Sequence, residues 1–517
     1  MSNSRILTLL CIATLLLVGH LPARAEFPAF PGAVGQGAAA EGGRGGDVYH
    51  VTTLEDYNKD QGEEKIPGSL RHAIQSAQAP RTIVFDVAGP LELSCPLEIN
   101  KKSHITLAGQ TSPGGVTLYG YPFEISQSLD IVVRFLRFRT GDFNAAVANK
   151  DGKPLKPASG KGNMDLLANS ANGFDIGNDA DRVIIDHISV SWGMDETLTV
   201  NGARNVTVQN SIIAESLNDS FHHKGPHGYG TLLRGEVTPA EQQLGAGGYT
   251  FYGNLWAHHR ARNPSIAGQQ RLEDGQSESD RRRTDVNLVN NVVYNWGDQP
   301  THRSEGGDVR VNLVGNYYVN GPAKKSKHIF NEGEDGGTFL YHDGNAHDAD
   351  QDGEHDGTLI DTPQRAKLAF KDFDSADELV DAATGSPHNF FNSVQDDVLP
   401  PEQAYRRVVK SAGAALWRDA CDKRVIADLA HRTGQLIDSQ DEWRGDDGKL
   451  PGIDDLPRAS RPSDFDTDGD GMPNDFETSR GLDPDDPRDG NGTDLSEDGY
   501  TNLEVYLNSL VPDWTAR

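Results

Sequence analysis

A template of alternating apolar residues, an asparagine and a further β run recurs through the middle of the chain, and it restricts the fold more than any other feature. From about Ile105 the runs are ITLAG, DIVVRFLRF, RVIIDHISVSW, NVTVQNSIIA, YTFYGNLWA, DVNLVNNVVYN and RVNLVGNYYVN. Asn210, Asn254, Asn291 and Asn316 fall in equivalent slots and His187 in the same slot of an earlier run, at intervals of 23, 44, 37 and 25 residues. Repetition of this kind marks a solenoid, whose turns bury their apolar faces only by stacking on one another. The predicted fold is an all-β parallel β-helix. Asparagines stacked in a repeated bend can hydrogen-bond along the stack, so they read as scaffold.

Composition supports a turn-rich β protein, with 56 glycines and only 4 methionines in 517 residues. The formal charge of −29 argues against nucleic acid as the main partner, because nothing offsets phosphate repulsion over a broad face. Asp-rich loops point to calcium instead. Residues 1–25 read as a signal peptide: Arg5, the apolar run from Ile6 to Val18, then Ala23-Arg24-Ala25. The run is too short for a typical span, so the expected chain is secreted or periplasmic, without a membrane span after cleavage and monomeric. Cys95 and Cys421 then remain, either paired or separately buried.

In chain order, a Gly-rich start leads to a short strand at Val48 to Thr52, a helical turn from Leu70 to Ala77 and a strand from Thr82 to Val87. The helix could cap the open end of the solenoid. Insertions at 141–173, 217–248, 261–285 and 297–310 interrupt particular turns and are expected to build a binding face. The template fades after about Tyr341, and PEQAYRRVVKSAGAALWRDACDKRVIADLAHRTG has helical spacing. The expected organisation is a β-helix over 26–345, a loop and helical extension over 346–460 packing on it, and a calcium-binding tail over 461–517. In that tail Asp466, Asp468, Asp470, Met472 (through its carbonyl), Asn474 and Glu477 match an EF-hand loop position by position. A weaker second loop offers Asp494, Ser496 and Asp498.

The chemistry is expected between Arg182 and Gly268, where β runs alternate with loops rich in His, Arg, Lys and Asp. Asp175, Asp186, Asp195 and Glu196 lie on or beside successive runs, and equivalent positions on neighbouring turns are about 4.8 Å apart. Carboxylates so placed can share a calcium ion, or be ordinary surface acids; Asp186, inside a run, could serve the scaffold. Lys224 and Arg262 lie in basic clusters that suit an anionic substrate. The His pairs lack an obvious third ligand for zinc, and no nucleophile elbow supports a serine hydrolase.

The segments GGRGGDVYHVTTL, PGSLRHAI, RFLRFRTGD, IIDHISVSWGMDE, HGYG and HHRARNP, in this order, resemble the pectate lyase family in its polysaccharide lyase family 1 branch. The resemblance runs from Phe27 to about Gly321 and includes the tail AYRRVVKSAGAALWRDACDKRVIADL. It implies a right-handed parallel β-helix that cleaves polygalacturonate, an acidic polysaccharide, by β-elimination with Ca2+ as cofactor. Arg262 would then abstract the C5 proton, and Lys224 would hold substrate with His227 as a further contact. Asp195, Glu196 and Asp175 would bind calcium. The family's second downstream arginine is absent, with Ser265 and Ala267 in that region, so the substrate carboxylate would fall to Arg260, Arg303 or the Arg281-Arg282-Arg283 run. Ser191 stands where a further calcium acid would be. Another uronate lyase, a pectic hydrolase and a silent polysaccharide-binding β-helix are the alternatives.

Overall fold

The computed structural model describes residues 27–512 apart from 79, 147–165, 168–170, 223, 333–335 and 374–376, so the signal-peptide segment and His223 lie outside the described residues. The chain winds through three sheets of eleven, nine and eleven strands, pairing parallel except at two ends of the third. One turn takes Asp181–Asp186 from the first sheet, Ser189–Ser191 from the third and Glu196–Asn201 from the second, then returns to the first at Arg204–Gln209. Alternation sends every second side chain inward. Val183, Val206, Tyr249, Val286 and Val311 are Cα partners on successive turns, all fully buried. Each turn therefore caps the apolar face of the last, which is why none could fold alone. The helix Leu70–Gln75 contributes Leu70, Ala73 and Ile74 to the same core.

The asparagine ladder exists, one register step away from part of its expected position. Asn254 Nδ2 donates to Asn291 Oδ1 at 3.1 Å, Asn291 Nδ2 to Asn316 Oδ1 at 3.0 Å and Asn316 Nδ2 to Asn345 Oδ1 at 2.9 Å. Asn210 is not a rung. Pairing of Asp186 with Gln209 and Gln209 with Tyr252 aligns His187, Asn210 and Gly253, the left-handed bend residues with φ of 52°, 50° and 66°. Ser211 takes the slot below Asn254, its N–H donating to Asn254 Oδ1 at 2.9 Å. Asn290 likewise occupies the bend (φ 56°) before the Asn291 rung, because asparagine tolerates the left-handed region as well as making ladders.

Asn291 is the rung whose loss should cost most. Its Oδ1 accepts from the N–H and the amide of Asn254, and its own amide also donates to the carbonyl of Phe251. Asn291→Ala would leave several buried groups unpaired, each worth about 1–3 kcal/mol. The expected loss is roughly 2–4 kcal/mol in urea unfolding followed by circular dichroism, with enzymatic rate per folded molecule unchanged.

Parallel pairing continues past residue 345, the expected end of the β-helix, through Ala346–Asp348, Phe370–Lys371 and Glu378–Asp381. These strands lack the apolar alternation of the earlier runs, and pairing to a completed turn holds them. The helices Pro401–Ser411 and Ala420–His431 place Tyr405, Val408, Val425 and Leu429 on Ile212, Leu255, Val292, Tyr317 and neighbours from the outer face of the third sheet. Cys95 and Cys421 are both free and buried. No helix among the described residues is long and apolar enough to cross a membrane.

Candidate active site

On the outer face of the nine-stranded sheet the strands Leu97–Asn100, Phe123–Ser126, Phe174–Gly177 and Glu196–Asn201 align Glu98, Glu124, Asp175 and Thr199 in one row. Phe174 and Ile176 point inward and are fully buried, so Asp175 between them points out. Asn172 Nδ2 donates to its carboxylate at 2.7 Å. Burial, with Glu124 and Asp195 adding repulsion, pushes the Asp175 carboxyl up to about 7. A row of oxygen donors that repel one another fits a hard cation, which would relieve the repulsion. Asp175 and Glu124 in this row and Asp195 beside it offer oxygens to calcium, while the ligand atoms that lie within 4.8 Å of one another at this site belong to Asp195, His222 and His227.

Asp195 is shared with two histidines. His227 Nε2 lies 2.8 Å from Asp195 Oδ1 and His222 Nε2 3.7 Å from Oδ2, the two rings stacked at 3.8 Å between centroids. Burial opposes ionisation of Asp195, but the hydrogen bonds from His222 and His227 hold it well below the usual carboxylate range. The N–H of Lys224 donates to His222 Nδ1 at 3.2 Å, so in the neutral ring the proton sits on Nε2 and faces Asp195. The histidine therefore serves as a donor to the carboxylate in that form. His227, expected to contact substrate, is held on Asp195, while Lys224 stands exposed at the rim of the same loop.

Glu196 parts company with Asp195. Adjacent residues entering a strand face opposite ways, and the Glu196 carboxylate turns to the guanidinium of Arg262, with which it forms an ion pair. Its own N–H is fixed by Asn172 Oδ1 at 3.0 Å. Glu196, expected as a calcium ligand, is the partner of the arginine.

Arg262 sits in a left-handed backbone conformation, φ 65°, and its guanidinium lies 4.1 Å from the centroid of the Tyr229 ring. The carbonyl of Arg262 accepts from the N–H of Thr231 at 2.7 Å, which docks the segment on the strand Tyr229–Arg234. Gly230 permits this approach: a Cβ there would fall 2.5 Å from the Arg262 carbonyl oxygen. Burial pushes the Arg262 guanidinium below its ordinary value, with Asp195 opposing. The preceding His258 and His259 are buried scaffold. His259 bridges Ser216 Oγ and the carbonyl of Ile213, both at 2.9 Å.

The remaining expected cations are placed differently. Arg260 joins two loops, donating to Asp298 Oδ2 at 2.6 Å and to the carbonyl of Pro226 at 3.0 Å. Arg303 is buried and directed at its own loop, the carbonyls of Gly306 and Gly307 each accepting at 2.8 Å. Arg281, Arg282 and Arg283 line a separate cleft, where Glu278, Glu236, Glu273 and Asp308 meet them. Tyr229, Glu124 and Asn172 escaped the sequence reading, and His222, read as half of a pair with no third metal ligand, lies with His227 and Asp195 in a group whose ligand atoms are within 4.8 Å of one another. The register of Glu124 with Asp175 and the Gly-x-Gly around Tyr229 were the available signals.

Probable pectate lyase C of Aspergillus flavus is 34% identical over 490 residues, 94% of this chain and 94% of that one. The protein of the same name from Aspergillus terreus is 33% identical over 507 residues, 97% of this chain and 98% of that one. No family model matches the chain. Among solved structures, the pectate lyase of Bacillus sp. N165 in complex with trigalacturonate is 13% identical with a TM-score of 0.43, over 73% of this chain and 98% of that one.

Proposed function

This chain belongs to the pectate lyase family and is a polysaccharide lyase, and from that premise we propose that it cleaves polygalacturonate by calcium-dependent β-elimination with Arg262 as the base. The observation that carries the reading is Arg262 itself, stacked on Tyr229, paired with Glu196 and within the field of the Asp195 carboxylate. Removal of the C5 proton by the neutral guanidine sends that electron pair into the C4–C5 bond. The C4–O bond breaks, and the departing glycosidic oxygen takes up a proton. Calcium held by Asp175, Asp195 and Glu124 would neutralise the uronate carboxylate and make the C5 proton more acidic. Tyr229 fixes the plane of the guanidinium and Glu196 its direction, while Lys224 at the rim is placed to meet a substrate carboxylate. Residues 1–25 direct secretion and are removed, and the loop from Asp466 to Glu477 is a second, structural calcium loop.

Arginine is a weak source of neutral base, so rate should follow the fraction deprotonated. Burial works toward the neutral form while the Glu196 and Asp195 carboxylates oppose it, and the neutral fraction grows about tenfold per pH unit below the pKa. The expected result with polygalacturonate and calcium is a rise in ultraviolet absorbance from the new C4–C5 double bond, steeper toward alkaline pH and abolished by chelator. Reducing ends without absorbance would replace elimination with hydrolysis.

A further inference from the structure

We infer that two loops of the C-terminal tail, one supplying Asp470 and Glu477 and the other Asp489, form one calcium site that clamps the end of the chain to the first turns of the β-helix. The inference extends the calcium-loop reading given above and does not depend on the lyase chemistry. Asp466, Asp468 and Asp470 bring a carboxylate oxygen each within 4.8 Å of one another, and Asp470, Glu477 and Asp489 do the same. Asp470 belongs to both groups.

A cluster of acids can be no more than a solvated patch, and Glu477 distinguishes this one. Its residue is 0% exposed, and neither Oε1 nor Oε2 has a hydrogen-bond donor among the described residues. Asp468 Oδ2, Asp470 Oδ2 and Asp489 Oδ1 are buried in the same condition. Carboxylate oxygens taken out of water and aimed at one another are costly unless a cation joins them. Burial and mutual repulsion push Glu477 up to about 8 and Asp470 up to about 7. An all-oxygen set with this many carboxylates suits calcium better than magnesium, which needs a small octahedral shell and keeps its waters.

Asp489 lies beyond the twelve-residue loop, and the fold brings it in. Its Oδ2 accepts from the N–H of Asp483 at 2.9 Å, leaving Oδ1 for the shared centre. Gly490 lets the two loops meet, since a Cβ there would lie 2.4 Å from Asp470 Oδ2. Asn474, expected as a ligand, instead accepts from the N–H of Thr467 at 2.9 Å. Asp494 and Asp498 join neither group.

The site is pressed on the solenoid. Met472, Leu503, Tyr506 and Leu507 pack on Val84 and Ala108 of the first sheet. His50, in the first strand Asp47–Val51, places Nε2 3.4 Å from Asp466 Oδ2. Arg44 pairs with Glu504 at 2.8 Å, and Asn491 donates to the carbonyl of Gly46 at 3.0 Å. Ordering the two loops around one ion therefore orders the surface that covers strands Asp47–Val51 and Arg81–Phe85.

Calcium titration calorimetry on the signal-free chain, with hydrogen exchange over those two strands, tests the proposal. Glu477→Gln and Asp489→Asn should each weaken one calcium-binding event by about tenfold or more and abolish calcium-dependent protection of both strands. Calcium-dependent turnover of polygalacturonate should persist in both variants. Loss of the event in Glu477→Gln but not in Asp489→Asn would overturn the two-loop site and leave the single loop. Loss in both variants with no calcium effect on strand protection would overturn the clamp. Binding unchanged in both would overturn the tail site altogether, without touching the lyase reading.

Discussion

Arg262→Ala is expected to lower kcat on polygalacturonate by about 10³-fold, within the range a general base contributes, while KM changes little. The guanidinium is held from two sides, by the Tyr229 ring and by the Glu196 carboxylate. It is therefore oriented before substrate arrives, whereas Arg260 is tied to Asp298 and Arg303 to its own loop. The substitution also strands Glu196, whose side chain is only 6% exposed. Arg262→Ala should thus cost about 1–3 kcal/mol of stability as well as activity. The double variant Arg262→Ala, Glu196→Gln separates the two effects, recovering most of the stability and none of the turnover. Arg262→Lys keeps a positive charge for Glu196 but shortens the reach and loses the planar stack on Tyr229, so it should fold normally and remain at least about 10²-fold impaired. Initial rates of absorbance increase, read beside thermal midpoints, check all three variants. Arg262→Ala turning over at the parent rate would remove the base from Arg262 altogether.

Much of this site was legible because the solenoid repeats. Recurrent asparagine revealed stacked turns, and stacked turns explain how residues far apart in sequence form one acidic row. The register was harder to read, since the bend residue and the ladder residue are both often asparagine. The doublets Gly253-Asn254, Asn290-Asn291, Gly315-Asn316 and Gly344-Asn345 carry the needed signal, a left-handed residue followed by a rung. Read that way, Asn210-Ser211 places asparagine in the bend. Asp195 and Glu196 illustrate a second limit. Proximity in sequence gave both one expected role, whereas the fold pairs Asp195 with the histidines and Glu196 with Arg262. Asp489 illustrates a third, because its approach to Glu477 depends on how two loops pack and leaves no local pattern.

The helices on the third sheet carry the largest expected stability effect, at Arg139→Ala. The strand Arg137–Arg139 turns both arginines outward beneath these helices, where they are 0% exposed. Arg139 Nη2 donates to Asp422 Oδ1 at 2.7 Å and to Asp419 Oδ2 at 3.2 Å, and Ser189 Oγ donates to Asp422 Oδ2 at 2.6 Å. Burial and the neighbouring Asp422 push Asp419 up even with the arginine present. Removing Arg139 leaves two carboxylates in a dry interface with Arg137 as the remaining cation, its Nε 3.6 Å from Asp419 Oδ2, a change that costs about 3–5 kcal/mol. A carboxyl whose folded pKa lies above its unfolded value of about 3.9 binds its proton more tightly in the folded state, so folding gains as pH falls through that interval. The deficit of Arg139→Ala should accordingly be largest at neutral pH and shrink toward pH 4. Arg137 is buried in the same interface, so only replacing Arg137, Arg139, Asp419 and Asp422 together by apolar residues of similar volume should recover most of the loss, since the penalty lies in unpaired charge. Urea unfolding across pH measures the effect, and protease sensitivity of residues 401–431 locates it. A deficit independent of pH would mean that lost packing, rather than uncompensated charge, governs how the helices hold to the sheet.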